Sequence, residues 1–171
     1  ISNELSSKLN IYLKLFLLLY ADDTVLMSES KEDLQHQLNC FSDFCEAWKL
    51  TVNIDKTKVV IFSKGKLPNN MVFTINNIEL EICKDFKYLG IYFNRYGSFT
   101  TTKRYLAVRA TRAMYAVIKK CRAFNLSVEC QLDMFDKMVM PILLYGCEVW
   151  GVGNLDVIER VHLKFLKLLL N

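Results

Sequence analysis

The hydrophobic pattern of this 171-residue chain changes at one place, near residues 94–99. Before it, apolar runs of strand length are separated by turn-forming residues and by one helical segment. After Gly97 the apolar residues recur only at helical spacing, over residues 101–124, over 132–140 up to Pro141, and from residue 155 onward. This pattern predicts an α+β fold, with an antiparallel sheet and a covering helix in residues 1–95 and an all-helical region in residues 96–171.

Two adjacent aspartates, Asp22 and Asp23, lie within the apolar run LLLYADDTVL. The run predicts buried strands over residues 13–19 and 24–27, joined by a tight turn that carries the pair. Aspartate is common in turns and at helix caps, so a turn or a helix cap would each explain the pair without a bound ion. The third is a divalent cation, because a buried carboxylate is costly unless positive charge neutralises it. The pattern alone leaves all three open.

The covering helix is predicted to begin at residues 30–33, SKED, which resemble a capping box with acids in the first turn. Its apolar stripe keeps helical spacing and consists of Leu34, Leu38, Phe41, Cys45 and Trp48. Further strands are predicted over residues 51–62 and 86–93, and a hairpin over residues 71–82 that turns at Asn76–Asn77, with a loop at residues 65–70. In the last strand, Gly90 allows close approach of another backbone.

The predicted helix over residues 101–124 has one apolar side and one basic side. The apolar side comprises Leu106, Ala110, Ala113, Met114, Val117, Cys121 and Phe124. The opposite side carries Tyr115 and six cations, namely Arg104, Arg109, Arg112, Lys119, Lys120 and Arg122. Residues 86–128 contain nine Lys or Arg and no Asp or Glu. A charged face is often only a solvated one, but a face of one sign with four arginines favours contact with phosphates.

Composition argues against several classes of protein. The apolar fraction of 52% is too high for a disordered chain. Six cysteines without a CxxC pair, with only two histidines, argue against a structural zinc site and predict reduced thiols in an intracellular protein. No signal peptide is visible, and the longest apolar stretch, residues 11–21, is too short to cross a bilayer, so no membrane is expected as a partner.

Four stretches follow one another in a fixed order: YADD at residues 20–23, LTVNIDKTKVVIF at 50–62, FKYLGIYF at 86–93 and PILLYGCEVWG at 141–151. In that order they resemble the catalytic hairpin, the next palm motif, the primer grip and a thumb stretch of the reverse transcriptases (RNA-directed DNA polymerases) of non-LTR, LINE-type retrotransposons. The order carries the resemblance, because YADD alone is too short to be specific. The fold it implies is the C-terminal part of a polymerase palm followed by a thumb-like helical region.

The resemblance implies catalytic roles for the aspartates and for one lysine. Asp22 and Asp23 would be metal ligands in an enzyme that uses two Mg²⁺ ions for nucleotidyl transfer. Lys56 would act as general acid near the leaving pyrophosphate, with Lys58 as the competing candidate if the register is shifted.

The resemblance also implies how nucleic acid is bound. Tyr88, Leu89 and Gly90 would form the primer grip, and the basic helix would follow the phosphates of the template–primer duplex without reading its sequence. The partners would be an RNA template, a DNA primer and deoxynucleoside triphosphates. A genomic DNA substrate, together with the absence of a visible targeting signal, would place the protein in the nucleus or cytoplasm.

The chain departs from the family pattern at its front. The family's site needs a third aspartate from a strand upstream of the YADD hairpin, and fingers that hold template and nucleotide, yet only nineteen residues precede Tyr20. We therefore expect the chain to be inactive alone and to need an upstream fingers and palm segment as a partner. The alternative is a non-catalytic retroelement remnant that binds nucleic acid through the basic helix or has no function.

Overall fold

The computed structural model describes residues 16–65 and 71–170, which form two compact units that divide between Lys84 and Asp85. Sequence patterning predicts a division at residues 95–96 instead. The difference of eleven residues is one hairpin that associates with the helices of the rear unit, because the hydroxyl of Thr102 accepts from the backbone N–H of Tyr92 (2.9 Å) and donates to its carbonyl (3.0 Å).

The front unit begins with an antiparallel hairpin of β1 (Phe16–Tyr20) and β2 (Asp23–Met27), as the sequence predicts. Residues 13–15 of the first predicted strand lie outside the described residues. Tyr20 pairs with Asp23, so only Ala21 and Asp22 lie between the strands. The turn and the helix cap are the two explanations of the aspartate pair that involve no bound ion, and of these the structure shows the turn.

Helix α1 (Lys31–Ala47) follows the hairpin and has the predicted cap. The Ser30 hydroxyl accepts from the Asp33 backbone N–H at 3.1 Å and donates to the Asp33 carboxylate at 2.6 Å. Leu38 and Cys45 of the predicted stripe are buried, but Trp48 is 68% exposed. The helix ends at Ala47, so Trp48 lies outside it and helical spacing no longer predicts its burial.

Four short strands complete the front unit. They are β3 (Lys58–Val60), β4 (Thr74–Ile75), β5 (Ile78–Glu79) and β6 (Glu81–Cys83). The hairpin of β4 and β5 turns at Asn76 and Asn77, as predicted, and both asparagines have the positive φ that a tight hairpin turn requires. Its loop neighbour at residues 66–70 lies outside the described residues.

The sheet differs from the single antiparallel sheet that the sequence predicts. The described strands form four two-stranded sheets, and β3 pairs with β6 in parallel. A parallel pair needs a crossover, which here runs through the β4–β5 hairpin. The predicted strand at residues 51–62 shortens to β3, because the Asn53 carbonyl accepts from the Thr57 N–H and hydroxyl and closes a turn. The front core consists of Leu38, Val59, Phe73, Ile75 and Leu80.

The rear unit opens with a second antiparallel hairpin, β7 (Asp85–Tyr88) and β8 (Ile91–Asn94). The prediction of one continuous strand over residues 86–93 is wrong. Leu89 and Gly90 form a two-residue turn with φ of +45° and +85°. The apolar Leu89 hides this turn in the sequence, because hairpin turns with two left-handed residues are usually marked by Asn-Gly or Asp-Gly.

Five helices pack behind this hairpin. They are α2 (Thr100–Ala123), α3 (Val128–Met138), α4 (Met140–Leu143), α5 (Cys147–Trp150) and α6 (Asp156–Leu169). Pro141 lies in the first turn of α4, where its missing N–H costs nothing. The rear core is larger than the front one and includes a stacked pair, Phe135 and Phe165, with ring centroids 4.0 Å apart. Within the described residues, no helix is both long enough and apolar enough to cross a membrane.

Candidate functional site

The aspartate pair lies at the tip of the β1–β2 hairpin. Ala21 has a φ of +53°, a left-handed conformation that costs an L-residue about 1–2 kcal/mol and that fixes the direction of the turn. Asp22 is in the turn and Asp23 is the first residue of β2, and both are exposed. The prediction of a buried pair is therefore wrong. The neighbouring apolar residues are exposed too, Leu19 by 66% and Tyr20 by 64%.

The exposed carboxylates can supply part of a metal shell. Among the described residues, neither aspartate is in a salt bridge, and no group of three Asp, Glu, His or Cys side chains could hold a metal ion. Mg²⁺ usually takes only one or two protein carboxylates and completes its octahedron with water and substrate phosphates. Two adjacent carboxylates at a hairpin tip, with no salt bridge to any described residue, fit that kind of partial site.

The two candidate lysines of the front unit differ in their partners. Lys58 is in β3 and forms a 2.7 Å salt bridge with Glu81, its neighbour across the parallel strand pair. Lys56 precedes the strand, on the turn whose N–H groups are held by Asn53, and its side chain is exposed. Within the described part of the chain, Lys56 has no salt bridge. Its ammonium group is the one of the two that can reach a ligand without breaking an ion pair.

The three residues of the predicted primer grip lie together at the end of the β7–β8 hairpin. Tyr88 is the last residue of β7 and is half-buried, and Leu89 and Gly90 form the turn. The hydroxyl of Tyr145 donates to the Leu89 carbonyl at 2.9 Å. A Cβ at Gly90 would lie 3.0 Å from the Tyr145 ring. The turn is therefore held from outside by a side chain 56 residues away in sequence.

The stretch 141–151, PILLYGCEVWG, forms the other side of this contact. Gly146 has a φ of +65°, and a Cβ there would lie 2.5 Å from the Ile91 side chain of β8. The buried Trp150 donates from its indole nitrogen to the Tyr145 carbonyl at 2.8 Å. These contacts explain why the motif contains Tyr, Gly and Trp at these positions. Motif matching identified the stretch but not the role of Tyr145, since only the tertiary fold brings it to the turn.

The basic side of α2 has the predicted composition and exposure. All six of its cations are exposed, and on the apolar side only Phe124, which follows the last helical residue, departs from prediction at 75% exposure. The helix contains no Asp or Glu. Arg122 donates to the Leu168 carbonyl at 3.2 Å, and among described residues none of the six is in a salt bridge. From Arg104 to Arg122 the side extends about 27 Å.

A lysine outside the predicted set enlarges the basic surface. Lys87 of β7 donates to the Tyr105 hydroxyl at 2.9 Å, and the Arg109 guanidinium lies 5.6 Å from the centroid of the same ring. The hydrogen bond to Tyr105 raises the pKa of Lys87 and lowers the pKa of Tyr105. Lys87 therefore stays protonated near neutral pH. Helical spacing did not predict Lys87 as part of this surface, because Lys87 lies on β7 and not on α2.

One cation of the basic segment has a structural role instead. Lys103 is only 8% exposed, and its ammonium group donates to the carbonyls of Val152 (2.6 Å) and Asn154 (2.9 Å). These bonds fix the loop between α5 and α6. Lys103 is therefore not available to a phosphate.

Comparison with known proteins gives the family. The family model described as reverse transcriptase (RNA-dependent DNA polymerase) matches residues 1–93, more than half of the chain. The chain is 24% identical over 156 residues to the RNA-directed DNA polymerase from mobile element jockey of Drosophila melanogaster. The aligned region covers 84% of this chain and 16% of that protein. It is 26% identical over 162 residues to the probable RNA-directed DNA polymerase from transposon BS of the same species, covering 87% of this chain and 17% of that protein.

A third relative, the probable RNA-directed DNA polymerase from transposon X-element of Drosophila melanogaster, is 24% identical over 161 residues, covering 90% of this chain and 18% of that protein. The chain thus spans about a sixth of the length of these relatives. No solved structure matches it at a significant level. The match over residues 1–93 shows that the chain belongs to the reverse transcriptase family.

Proposed function

We propose that this chain is the part of an RNA-directed DNA polymerase that contributes two metal ligands, the primer-binding turn and a duplex-binding helix. The observation that carries the proposal is the exposed Asp22–Asp23 pair at a two-residue turn, inside the segment that matches the reverse transcriptase family. In this proposal the front unit and the β7–β8 hairpin belong to the polymerase palm, and the helices of the rear unit form the thumb-like region.

Asp22 and Asp23 would hold the metal ions, and Lys56 would act beside them. The chemistry that two bound Mg²⁺ ions supply is activation of the primer 3′-hydroxyl and neutralisation of the triphosphate charge. Asp22, in the turn, offers its carboxylate to that site, and Asp23 adds a second oxygen ligand or orients the first. Lys56, exposed and without a salt bridge among the described residues, can give a proton to the leaving pyrophosphate.

The metal site can be tested on the chain itself with Mn²⁺, a paramagnetic substitute for Mg²⁺. We expect Mn²⁺ to broaden the amide NMR signals of Asp22 and Asp23 before those of other exposed acids, because two adjacent carboxylates bind a hard cation better than one. The internal control is Glu32–Asp33, a second exposed acid pair, in which Asp33 already accepts from Ser30.

Replacing Asp22→Asn together with Asp23→Asn should raise the Mn²⁺ concentration needed for this broadening about tenfold, which corresponds to a loss of about 1.4 kcal/mol. Equal broadening at both acid pairs, or broadening that persists in the double variant, would contradict a metal site at the hairpin tip.

The isolated 171-residue chain is expected not to extend a DNA primer on an RNA template. Two carboxylates leave the two ions short of ligands, and the described residues offer no third ligand beside them. The measurement is a primer-extension assay with the purified chain in Mg²⁺ and in Mn²⁺. Extension that disappears in Asp22→Ala would show that the chain is a complete catalyst. The same assay separates this proposal from a non-catalytic remnant only when the upstream palm and fingers of a related polymerase are added.

A further inference from the structure

The solvent side of helix α1 carries a histidine and a cysteine in contact with each other. His36 and Cys40 are one helical turn apart, and the His36 Nε2 atom lies 3.8 Å from the Cys40 Sγ atom. His36 is exposed and Cys40 is half-buried, whereas the buried Leu38 and Cys45 lie on the opposite side of the helix. Cysteine is among the residue types most often buried in a core, so core packing does not account for Cys40 at this position.

The separation of the two atoms suits a shared metal ion. Zn²⁺ binds a thiolate sulfur at about 2.3 Å and an imidazole nitrogen at about 2.0–2.1 Å, and at a tetrahedral angle these bonds place the two ligand atoms about 3.6 Å apart. The observed 3.8 Å between Nε2 and Sγ is close to that value. Residues four positions apart on a helix remain neighbours while the helix is intact, so the pair is already arranged for an ion.

The charge of α1 favours a cation beside this pair. The helix contains four acids and one lysine. Two of the acids, Glu32 and Asp43, are exposed and lie on the same side as His36, one turn before it and two turns after it. Among the described residues no group of three Asp, Glu, His or Cys side chains could hold a metal ion, so these acids raise the local concentration of cations without being ligands.

The ligand atoms determine which class of ion fits. Thiolate and imidazole bind Zn²⁺ and similar borderline ions, whereas Mg²⁺ and Mn²⁺ prefer the oxygens of carboxylates and water. The pair therefore differs in chemistry from Asp22 and Asp23. Two protein ligands also leave the metal shell open to water, which distinguishes the pair from the closed, four-ligand site of a structural zinc ion.

We propose that His36 and Cys40 form a binding site for one Zn²⁺ or similar borderline divalent ion per chain, with water completing the shell. His36 binds through the lone pair of Nε2, and Cys40 binds as a thiolate whose proton is released to solvent. The bound ion joins two successive turns of α1 on the side away from the core. The inference is independent of the proposed function, because it involves neither the aspartate pair nor the basic side of α2.

Titration of the purified, reduced chain with Co²⁺ tests the proposal, because a thiolate bound to Co²⁺ gives a charge-transfer band in the near ultraviolet. We expect one Co²⁺ per chain, and we expect Zn²⁺ to remove the band by displacing Co²⁺. Cys40→Ser should abolish the band. His36→Gln should weaken Co²⁺ binding at least about tenfold, since loss of even an outer-shell partner of a metal ligand costs about 10–100-fold in affinity.

Two control variants show whether the band belongs to this pair. Cys130 is half-buried like Cys40, but the residue four positions before it is Leu126, so Cys130→Ser should leave the band unchanged. Replacing Asp22→Asn together with Asp23→Asn should also leave it unchanged, because carboxylates are not the ligands of this ion. Far-ultraviolet circular dichroism checks that each variant keeps its helices.

Alkylation by iodoacetamide gives a second measurement, because peptide mass spectrometry identifies each cysteine separately. Zn²⁺ at about ten times its dissociation constant should slow the alkylation of Cys40 about tenfold, since only the ion-free thiol reacts. Cys130 should react at the same rate with and without Zn²⁺, and Mg²⁺ should protect neither cysteine.

A band that persists in Cys40→Ser, or an affinity that does not change in His36→Gln, would overturn the proposal. Half an ion per chain with formation of a dimer would overturn the site within one chain, because the ion would then be shared between two copies. None of these results bears on metal binding at the aspartate pair, which the Mn²⁺ experiment measures separately.

Discussion

Replacing Arg104, Arg112 and Lys119 together by glutamine is expected to weaken duplex binding on the order of 100-fold at 0.1 M salt and to leave the fold intact. Each cation that neutralises a phosphate releases a counterion and contributes about 0.9 to the slope of log affinity against log salt on B-form DNA. Removing three should make the slope shallower by about 2–3. All three side chains are exposed, so the core does not change.

The composition of α2 supports a role for its exposed side in binding. A helix normally gains stability from acids in its first turn, but α2 has none there, and its N-cap residue, Phe99, makes no side-chain cap bond. α2 therefore lacks the stabilising contacts that an N-cap and first-turn acids provide, and its buried side chains hold it in place. Its exposed side carries positive charge only. A surface selected only for solubility would mix both signs along the helix.

The control removes the same charge elsewhere. Lys31, Lys64 and Lys84 belong to the front unit and are outside the basic side of α2, so their triple glutamine variant has the same net charge as the test variant. Anisotropy titrations at several salt concentrations should show a near wild-type slope for this control. Equal slopes for the two triple variants would mean that only net charge matters and that α2 makes no specific contact with the duplex.

Gly146→Ala is expected to lower the free energy of unfolding of the rear unit by about 3 kcal/mol. About 1 kcal/mol comes from placing an L-residue at a φ of +65°. The rest comes from overpacking, because the new Cβ would lie 2.5 Å from the Ile91 side chain, and forcing extra carbon into a packed site costs about 1–3 kcal/mol. The measurement is urea unfolding followed by the fluorescence of Trp150 in a Trp48→Phe background, since Trp48 is exposed.

Gly153→Ala is the matched control for this substitution. Gly153 has a φ of +77°, but no atom of the described residues would lie within 4 Å of a Cβ at this position. It should therefore lose only the backbone contribution of about 1 kcal/mol. The difference between the two variants measures the close approach of the 141–151 stretch to β8. If both glycines lost the same free energy, Ile91 would be free to move aside, and the hairpin would not be held by packing at Gly146.

Features that depend on neighbours in sequence could be predicted well. The apolar spacing placed α2 within one residue of its observed ends, and the cap at Ser30 and the turn at Asn76–Asn77 follow from local chemistry. The turn at Asp22 follows from the break in an apolar run. In each case the interacting groups lie within a few residues, so the pattern contains both partners.

Features that depend on distant partners could not. The apolar run around the aspartates suggests burial, but burial requires a partner surface, and Leu19 and Tyr20 are exposed. The β7–β8 turn looks like continuous strand because Leu89 is not a usual turn residue, and its left-handed backbone is held by Tyr145, 56 residues further along the chain. Nothing in the local spacing of either segment indicates the other.

The sequence by itself determined the family, the aspartate turn and the helix with a face of positive charge only. Motif order, turn chemistry and helical periodicity each depend on residues that are close together in the sequence. The tertiary structure decided that Lys58 is paired with Glu81, that Lys103 is structural, and that Tyr145 and Gly146 hold the β7–β8 hairpin. These depend on contacts between residues 23 to 56 positions apart, whose distances only the folded packing fixes.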